Sequence, residues 1–568
     1  MRNLKLVFTF LCVCASAHTQ IGFNLTHTFD PSVSIHLSVI EKDDTLIVSG
    51  IKFTGNAFKQ RYLRFCNPLT GEIYRDVNLS DTSAYVVGNP GFDCIFHNNA
   101  IYLLNCRRQY SDTTLAKLQK LDAFGNEIWN KQYNIGNYFA SFNEIDIIND
   151  SVLLLTGEIE SSYGNLDVRL LWIDTNGTII NERIYPKPFI QNAWSIDKYM
   201  NGDIFLSGAT ITNTSNSGVR SFTRLKPNGD IIWNTIVGGN GYNSGISILS
   251  PNDSSIYYFG NYAYPGQVLR PRILKLNAAG DTLWSYCYPK YNAIDVTNVA
   301  NAYEFGALGA NNNNIVGLLR YKDSITSNIR YILQGLTTDG VPKWERKISI
   351  RTNDNYTTSL KKMSNGDFVF TGYVFPEFQN GTVEDGWLVR VNCIGLHEHP
   401  VDSISISGQF QSVQLNNFAN HFSHATVDWG DGSPTEIQES NYSDSIEHVI
   451  FNHTYSSQGN YDVTVKTISC NDTLTHQIPI ELLSSGLDND LLNVFPNPNN
   501  GEFSLMLKHD GNAEIAIYDN IGKLIFIKSE IDLNQPQKIT VDNLSNGIYH
   551  VVVRTATAQF MTKIKVIK

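Results

Sequence analysis

Few residues in this 568-residue chain are of types and spacings that could do chemistry, and those few lie far apart. Nucleophilic hydrolysis needs a serine or cysteine on a sharp turn, with a histidine and an acid brought to it, and no Gly-x-Ser-x-Gly is present. His27, His36 and His97 stand isolated along the chain and read as structural or solvated residues. Glu384-Asp385 is a carboxylate pair of the kind used in glycoside hydrolysis, but Gly381 and Gly386 flank it and it reads as a solvated loop. Asp428 and Asp431 offer two carboxylates where calcium takes six to eight oxygen ligands. The cysteines show no C-x-x-C spacing, which argues against a zinc or redox site. No catalytic residue, metal or cofactor is therefore expected. What remains is aromatic: Tyr185, Trp194 and Tyr242 stand in connecting segments that also carry Tyr138, Phe139, Phe189, Tyr288 and Tyr291. Rings beside Asn and Ser suit stacking on sugars or anchoring a protein partner, and Tyr185, Trp194 and Tyr242 are the candidate ligand-binding residues.

The elements that must position such rings are β-strands in internal repeats. One unit reads Asn201-Gly202-Asp203-Ile204-Phe205-Leu206-Ser207-Gly208, then Ser221 to Lys226, then Asn228-Gly229-Asp230-Ile231-Ile232-Trp233. Another runs from Ser255 to Gly260, then Arg272 to Leu276, then Gly280-Asp281-Thr282-Leu283-Trp284. Related strands end at Gly50, Gly157 and Gly372, and Gly-x-x-x-Trp recurs at Gly125/Trp129 and Gly340/Trp344. Seven units of roughly 50–55 residues result, near the length of propeller blades. Each holds four short strands, and helix-period patterns are almost absent. The spacing predicts an all-β seven-bladed β-propeller over 23–395. The recurrent Gly is expected to turn the chain after the second strand, and the Trp to pack between sheets. The seventh unit lacks a convincing fourth strand, and residues 23–29 form a spare one that could close the last blade. The second-to-third-strand connections 158–166, 209–220, 261–270 and 373–386 read as long loops on one face, the best place to look for a ligand.

These repeats resemble secreted bacterial propellers, including those with tryptophan-docking turns found in pyrroloquinoline quinone enzymes. Asp122, Gly125 and Trp129 keep the Gly-to-Trp spacing, but the family's Thr is missing, so the resemblance implies blade packing and not a cofactor. Further on, Val427-Asp428-Trp429-Gly430-Asp431-Gly432-Ser433, His453-Thr454-Tyr455 and Gly459 to Val465 resemble a polycystic kidney disease (PKD) domain, an immunoglobulin-like sandwich placed at 396–483. Trp429 and Tyr455 are its core candidates. A polar linker, 484–490, follows.

The chain ends on Asn493-Val494-Phe495-Pro496-Asn497-Pro498, then Asn500-Gly501-Glu502-Phe503, Ile517 to Lys523, Leu544 to Tyr549 and Lys563 to Lys568. These ordered blocks resemble the type A sorting domain of the type IX secretion system of Bacteroidetes, a small C-terminal β-sandwich over 491–568. The resemblance implies the secretion machinery as a partner. Arg2 and Lys5, the apolar run Leu6 to Cys14 and Ala15-Ser16-Ala17 read as a signal peptide over 1–17. That run is too short for a membrane span, and no transmembrane segment is expected in the mature chain. Without the signal, 41 basic side chains face 54 acidic ones, a balance of −13 that disfavours nucleic acid. Six cysteines then remain, and one disulfide among Cys66, Cys94 and Cys106 fits an oxidising compartment. The reading is a secreted or cell-surface binding protein, not an enzyme, whose propeller takes a glycan or protein ligand. Its rivals are an extracellular polysaccharide- or peptide-degrading enzyme with acids converging in the propeller channel, and a purely structural surface component.

Overall fold

The computed structural model describes residues 6–8, 22–27, 33–54, 58–79, 93–108, 114–133, 140–162, 165–185, 192–211, 218–237, 245–250, 254–262, 270–287, 303–308, 314–322, 329–348, 355–374, 385–409, 412–442, 445–457, 459–482, 492–507, 512–520, 522–533, 535–542, 544–555 and 559–568. Among them there are strands and turns and no helix. The chain divides into two compact units, 17–399 with 469–472, and 1–16 with 400–468 and 473–568.

Among the described residues, the first unit holds seven four-stranded antiparallel sheets. Their first strands are, in order, Val33–Lys42, Cys94–His97, Ala140–Asn149, Asn192–Lys198, Gly245–Leu249, Tyr303–Leu308 and Asn355–Lys362. In sheets 1 to 6 the four strands follow one another in sequence. In sheet 7 the outer edge is Phe23–His27, paired from Phe23↔Arg390 to His27↔Gly386 on the third strand, Asp385–Val391. Each first strand lies against the first strand of the next sheet, and that of sheet 7 lies against that of sheet 1. The contact succession is therefore cyclic, and its apolar cores lie between successive sheets, as with Leu154, Trp172, Ile196 and Leu206 of sheets 3 and 4.

The two recurrent glycines have separate roles. Those of the second strands do not turn the chain, which corrects the expectation. Gly157 lies inside Val152–Ser162, paired with Phe142 next to a bulge in the first strand between Phe142 and Glu144. A Cβ there would lie 1.9 Å from the Ser141 carbonyl, so only a glycine lets the two backbones approach so closely. Gly372 meets the Tyr356 carbonyl in the same way. Of the long loop expected over 158–166, residues 158–162 and 165–166 are strand, with Ser162↔Asn165 in register, and 163–164 lie outside the described residues.

The glycine of each Gly-x-x-x-Trp element has positive φ, and at Gly229, Gly280 and Gly340 a tryptophan of the preceding sheet rests on it, while Gly125 lies against Val77 and Leu63. Gly280 has φ +88° and an added Cβ would come within 3.0 Å of Trp233, and Gly340 stands likewise against Trp284. Trp233 Nε1 and Trp284 Nε1 donate to the carbonyls of Ala278 and Thr338 in those same turns. Trp129 packs on Gly177 and Trp344 on Gly395. At the joint of sheet 7 with sheet 1 this place is taken by Phe23 and Leu25, against Gly71. Replacing the buried Trp344 with Ala should cost about 3–5 kcal/mol, and the half-exposed Trp233 less. Denaturant unfolding that leaves Trp344→Ala as stable as the parent would remove these joints as a source of stability.

In the second unit, Val401–Gln409, Ser412–Asn420 and Glu447–Thr454 form one sheet, to which Leu6–Phe8 adds at Ile406–Gly408. Glu436–Glu439, His424–Asp428, Gly459–Ser469 and Asp472–Leu482 form another. Trp429 and Tyr455 are fully buried in their shared core, and the Tyr455 hydroxyl donates to the Trp429 carbonyl at 2.9 Å. Asp428 and Asp431 are engaged locally, by the Gly430 N–H and by Ser433 and His453. The C-terminal module has a three-stranded and a four-stranded sheet around a core formed within residues 492–566.

The expected disulfide is corrected. Cys66 and Cys94 are free and buried, and Cys393 is joined to Cys470 instead. The side chain of Cys106 lies outside the described residues. Cys66 and Cys94 sit on inward-facing strand positions, so the fold keeps them as small apolar side chains.

Candidate functional site

Of the aromatic candidates, Tyr185 is buried, and its hydroxyl donates to the Gly229 carbonyl at 2.5 Å. It ends the fourth strand of sheet 3 and joins that sheet to the next, as Tyr133 does one sheet earlier through Gly177. It is therefore engaged in the joint between these two sheets. Trp194 is in the first strand of sheet 4, at a bulge between Ala193 and Ser195, and its side chain lies outside the described residues. Tyr242 lies outside them altogether, as do residues 212–217, 263–269 and 375–384 of the connections singled out above. Asp385 is buried at the start of a strand and not in a solvated loop, while Glu384 is outside the described residues. His27 and His36, expected to be isolated, are in contact, with His27 Nδ1 3.1 Å from His36 Nε2.

The structure gathers a different set of charged residues, on the first strands. Asp93 directly precedes the first strand of sheet 2, Glu144 and Asp146 stand on that of sheet 3, Asp197 and Lys198 on that of sheet 4, and Lys361 on that of sheet 7. Lys361 Nζ lies 3.7 Å from Asp93 Oδ1. The carboxylate of Asp93 holds the Lys361 ammonium in its charged form, and Glu144 and Asp146 act in the same sense. Sheets 7 and 3 are separated by two sheets in the succession, so this interaction reaches past sheets 1 and 2. The Lys361 side chain keeps 43 % of its surface accessible even though burial penalises its charge.

The acids respond to the same confinement. Burial, then the neighbouring Asp93, pushes the Glu144 carboxyl well above the ordinary range. Burial also raises Asp146, pushes Asp197 up to about 6, and pushes Glu158 on the adjoining second strand up to about 7. Backbone N–H groups hold these carboxyls in place. Glu144 Oε2 accepts from Ile196 at 2.6 Å, Asp197 Oδ2 from Leu249 at 2.6 Å and Asp146 Oδ1 from Ile147 at 2.7 Å. Two of these three bonds reach the next sheet, so the acids also stitch first strands together. A protonated carboxyl beside an ammonium–carboxylate pair can donate and accept hydrogen bonds at once, and can transfer a proton near neutral pH.

None of these residues was singled out in sequence, although a signal exists. Asp146, Asp197 and Lys361 pair with Leu154, Phe205 and Val369, each three residues before a mid-strand glycine, Gly157, Gly208 or Gly372. They occupy one repeat position. Among the described residues, no group of three or more His, Cys, Asp or Glu side chains could hold a metal ion.

Residues 493–568 match the family described as the secretion system C-terminal sorting domain. No curated protein matches the chain in sequence. Among solved structures, the β-propeller domain of the Trilobed protease from Pyrococcus furiosus is 9 % identical, with 64 % of this chain and 94 % of that one covered and a TM-score of 0.38. The quinohemoprotein alcohol dehydrogenase from Comamonas testosteroni is 9 % identical over 66 % of this chain and 76 % of that one, at a TM-score of 0.36. A β-xylosidase/α-arabinofuranosidase from a compost microbial metagenome is 12 % identical over 46 % and 98 %, at 0.28. The C-terminal module is thus a type IX sorting domain, and it directs the chain to the outside of the cell.

Proposed function

We propose that this is an exported binding protein: a seven-bladed propeller closed by its N-terminal strand, a PKD-like sandwich, and the sorting domain that carries both across the outer membrane. The propeller binds a glycan or protein ligand without turnover, and the ligand's hydroxyl or amine groups enter the central opening. The observation that supports this reading is that Lys361, Asp93, Glu144 and Asp146 of three sheets lie within electrostatic reach of one another. Hydroxyl-rich ligands need donors and acceptors side by side, and the cluster supplies both. Titration of the full-length exported protein against a glycan panel should find a ligand, and Lys361→Met should weaken it at least tenfold with the fold intact. Unchanged affinity in Lys361→Met would remove the opening as the site.

A second reading, hydrolysis in the same opening, is favoured by the raised Glu144 and Glu158 carboxyls, since a general acid must hold its proton near neutral pH. Release of shorter products from a bound glycan, lost in Glu144→Gln, would replace the binding reading with the enzymatic one.

A further inference from the structure

In sheets 1, 3, 4 and 7 the residue before the mid-strand glycine carries a hydroxyl: Ser49, Thr156, Ser207 and Thr371, all fully buried. Their partners on the first strands are Ser38, Glu144, Ser195 and Ser359, so sheet 3 has a glutamate where the others have a serine. Ser207 and Thr371 are satisfied: Ser207 Oγ accepts from Ser247 Oγ at 2.7 Å, and Thr371 Oγ1 lies 3.2 Å from Thr358 Oγ1. Ser49 Oγ and Thr156 Oγ1 have no hydrogen-bond partner among the described residues. It is these unsatisfied hydroxyls that flank the charged cluster. Residues directly opposed in an antiparallel pair project from the same face, which sets Thr156 beside Glu144 and Ser49 beside Ser38. Ser38 Oγ in turn donates to Asp93 Oδ1 at 3.5 Å. A buried hydroxyl without a partner weakens a fold, and such departures gather where a group is to be bound.

The kind of group is set by charge. Asp93, Glu144 and Asp146 bear on the single ammonium of Lys361. The neighbouring cation, Lys198, spends its hydrogens on the carbonyls of Ile147 and Ile148, at 3.0 and 2.8 Å. Acceptors therefore exceed donors, and an anion would meet carboxyls. A bare metal ion does not fit either, since among the described residues no group of three or more His, Cys, Asp or Glu side chains could hold one. An alkylammonium carries three donors and no acceptor, so it needs only what carboxylates and hydroxyls supply. The cluster can be reached from solvent, because the side chains of Lys361 and Asp93 keep 43 % and 14 % of their surface accessible. A lysine side chain has a slender apolar stem and one polar tip, which suits this acceptor-rich place. The oxygens of a sugar ring would call for further donors.

We propose that this cluster takes the ε-ammonium group of a lysine side chain presented by a protein partner. The proposal rests on the reading of the cluster as the propeller's ligand site, and names the group recognised there. Burial keeps protons on Glu144 and Asp146, and an arriving ammonium favours their charged forms, so protons leave as it binds. The other charges at hand are Cys94 and Arg61 by Asp93, Asp197 and Lys198 by Asp146, and Glu158 on the second strand of sheet 3.

Full-length exported protein is titrated calorimetrically with Nα-acetyl-lysine methylamide, with its Nε-acetylated form and with a glucosamine tetramer. Two buffers of different ionisation enthalpy report the protons released. The free amine should bind about tenfold more tightly than the acetylated form, and release protons. Glu144→Gln, which keeps an acceptor for the Ile196 N–H but cannot ionise, should weaken the amine about tenfold and diminish that release. Thr156→Val should weaken it about threefold while leaving the unfolding midpoint unchanged or higher, a combination that a merely structural hydroxyl does not give. It also stands in if Glu144→Gln is misfolded. Equal affinity for the free and acetylated probes, no binding of either, or parental binding by folded variants would overturn the proposal. Tighter binding of the glucosamine tetramer would overturn it in favour of an amino sugar. A ligand from the glycan panel that depends on Lys361 while the lysine probe fails would sink this inference alone, and a panel without such a ligand would remove the reading beneath it.

Discussion

A chain ending before residue 491 is expected to accumulate in the periplasm, while the full-length protein reaches the cell surface or the medium. The sorting domain is a physical unit: Phe503, Leu505, Ile515, Ile517, Val551, Val553 and Ile564 pack among themselves, and its whole core lies within residues 492–566. Its removal should therefore leave the other modules folded, and the loss should fall on export alone. Immunodetection in cell fractions checks this, with export expected to be nearly abolished. Truncated protein in the medium at the parental level would show that the domain is dispensable for export. Truncated protein that is degraded inside the cell would instead show that the module supports folding.

Much of this architecture is legible in the sequence because its causes are local. Gly280 to Trp284 announces a turn and a ring four residues later, and both stand where the period puts them. Trp429 and Tyr455 were legible as core because they sit between alternating apolar strands. The features that escaped depend on register. Glycines such as Gly157 look like turn residues until a bulge on the partner strand is known. The charged cluster was hidden because Asp146, Asp197 and Lys361 fall at one repeat position but carry opposite charges, so no residue-type pattern marks it. Cys393 and Cys470 are 77 residues apart in sequence, and only the folded chain brings them together. The joint made by Tyr185 was not legible, because an aromatic residue at the end of an outer strand serves a joint as readily as a ligand.

The joint between the seventh sheet and the first should fail in acid before the rest of the chain does. Sister joints are held by a tyrosine hydroxyl donating to a turn carbonyl, Tyr133 to Gly177 and Tyr185 to Gly229. Here His27 takes that place, with Nε2 3.1 Å from the Gly71 carbonyl. A carbonyl only accepts, so His27 Nε2 carries the hydrogen, and in the neutral ring Nδ1 accepts from His36 Nε2. His36 Nδ1 in turn lies 2.7 Å from the Tyr62 hydroxyl, which is 3.1 Å from the Ile35 carbonyl. Gly386 leaves room for the His36 ring, since a Cβ there would lie 2.5 Å from it. The charges around this chain are Arg64, paired with Asp76, with Cys66 nearby and Asp385 next to Gly386 on the adjoining strand. Burial, then Arg64, pushes His27 down to about 4, and burial holds His36 well below 6.5.

A base whose folded value is depressed takes up its proton first in the unfolded chain. The stability from this joint is therefore full above pH 6.5 and falls as the pH is lowered towards 4, by about 3 kcal/mol for His27. The raised carboxyls of Glu144, Asp197 and Glu158 act in the opposite sense, since the folded chain holds their protons more tightly. Global melting therefore mixes opposing effects, and the readout must be local. Hydrogen exchange, corrected for the intrinsic rate, should show the amides of Phe23–His27 losing protection between pH 7 and 4.5 while Phe368–Val374 of the same sheet keep theirs. His27→Gln supplies one donor and one acceptor without titrating, and should keep that protection at both pH values. Deleting residues 23–27 outright should expose the Asp385–Val391 edge at every pH and lead to aggregation. Protection of Phe23–His27 that is indifferent to pH, or a His27→Gln variant that opens in acid like the parent, would assign the closure to strand pairing alone.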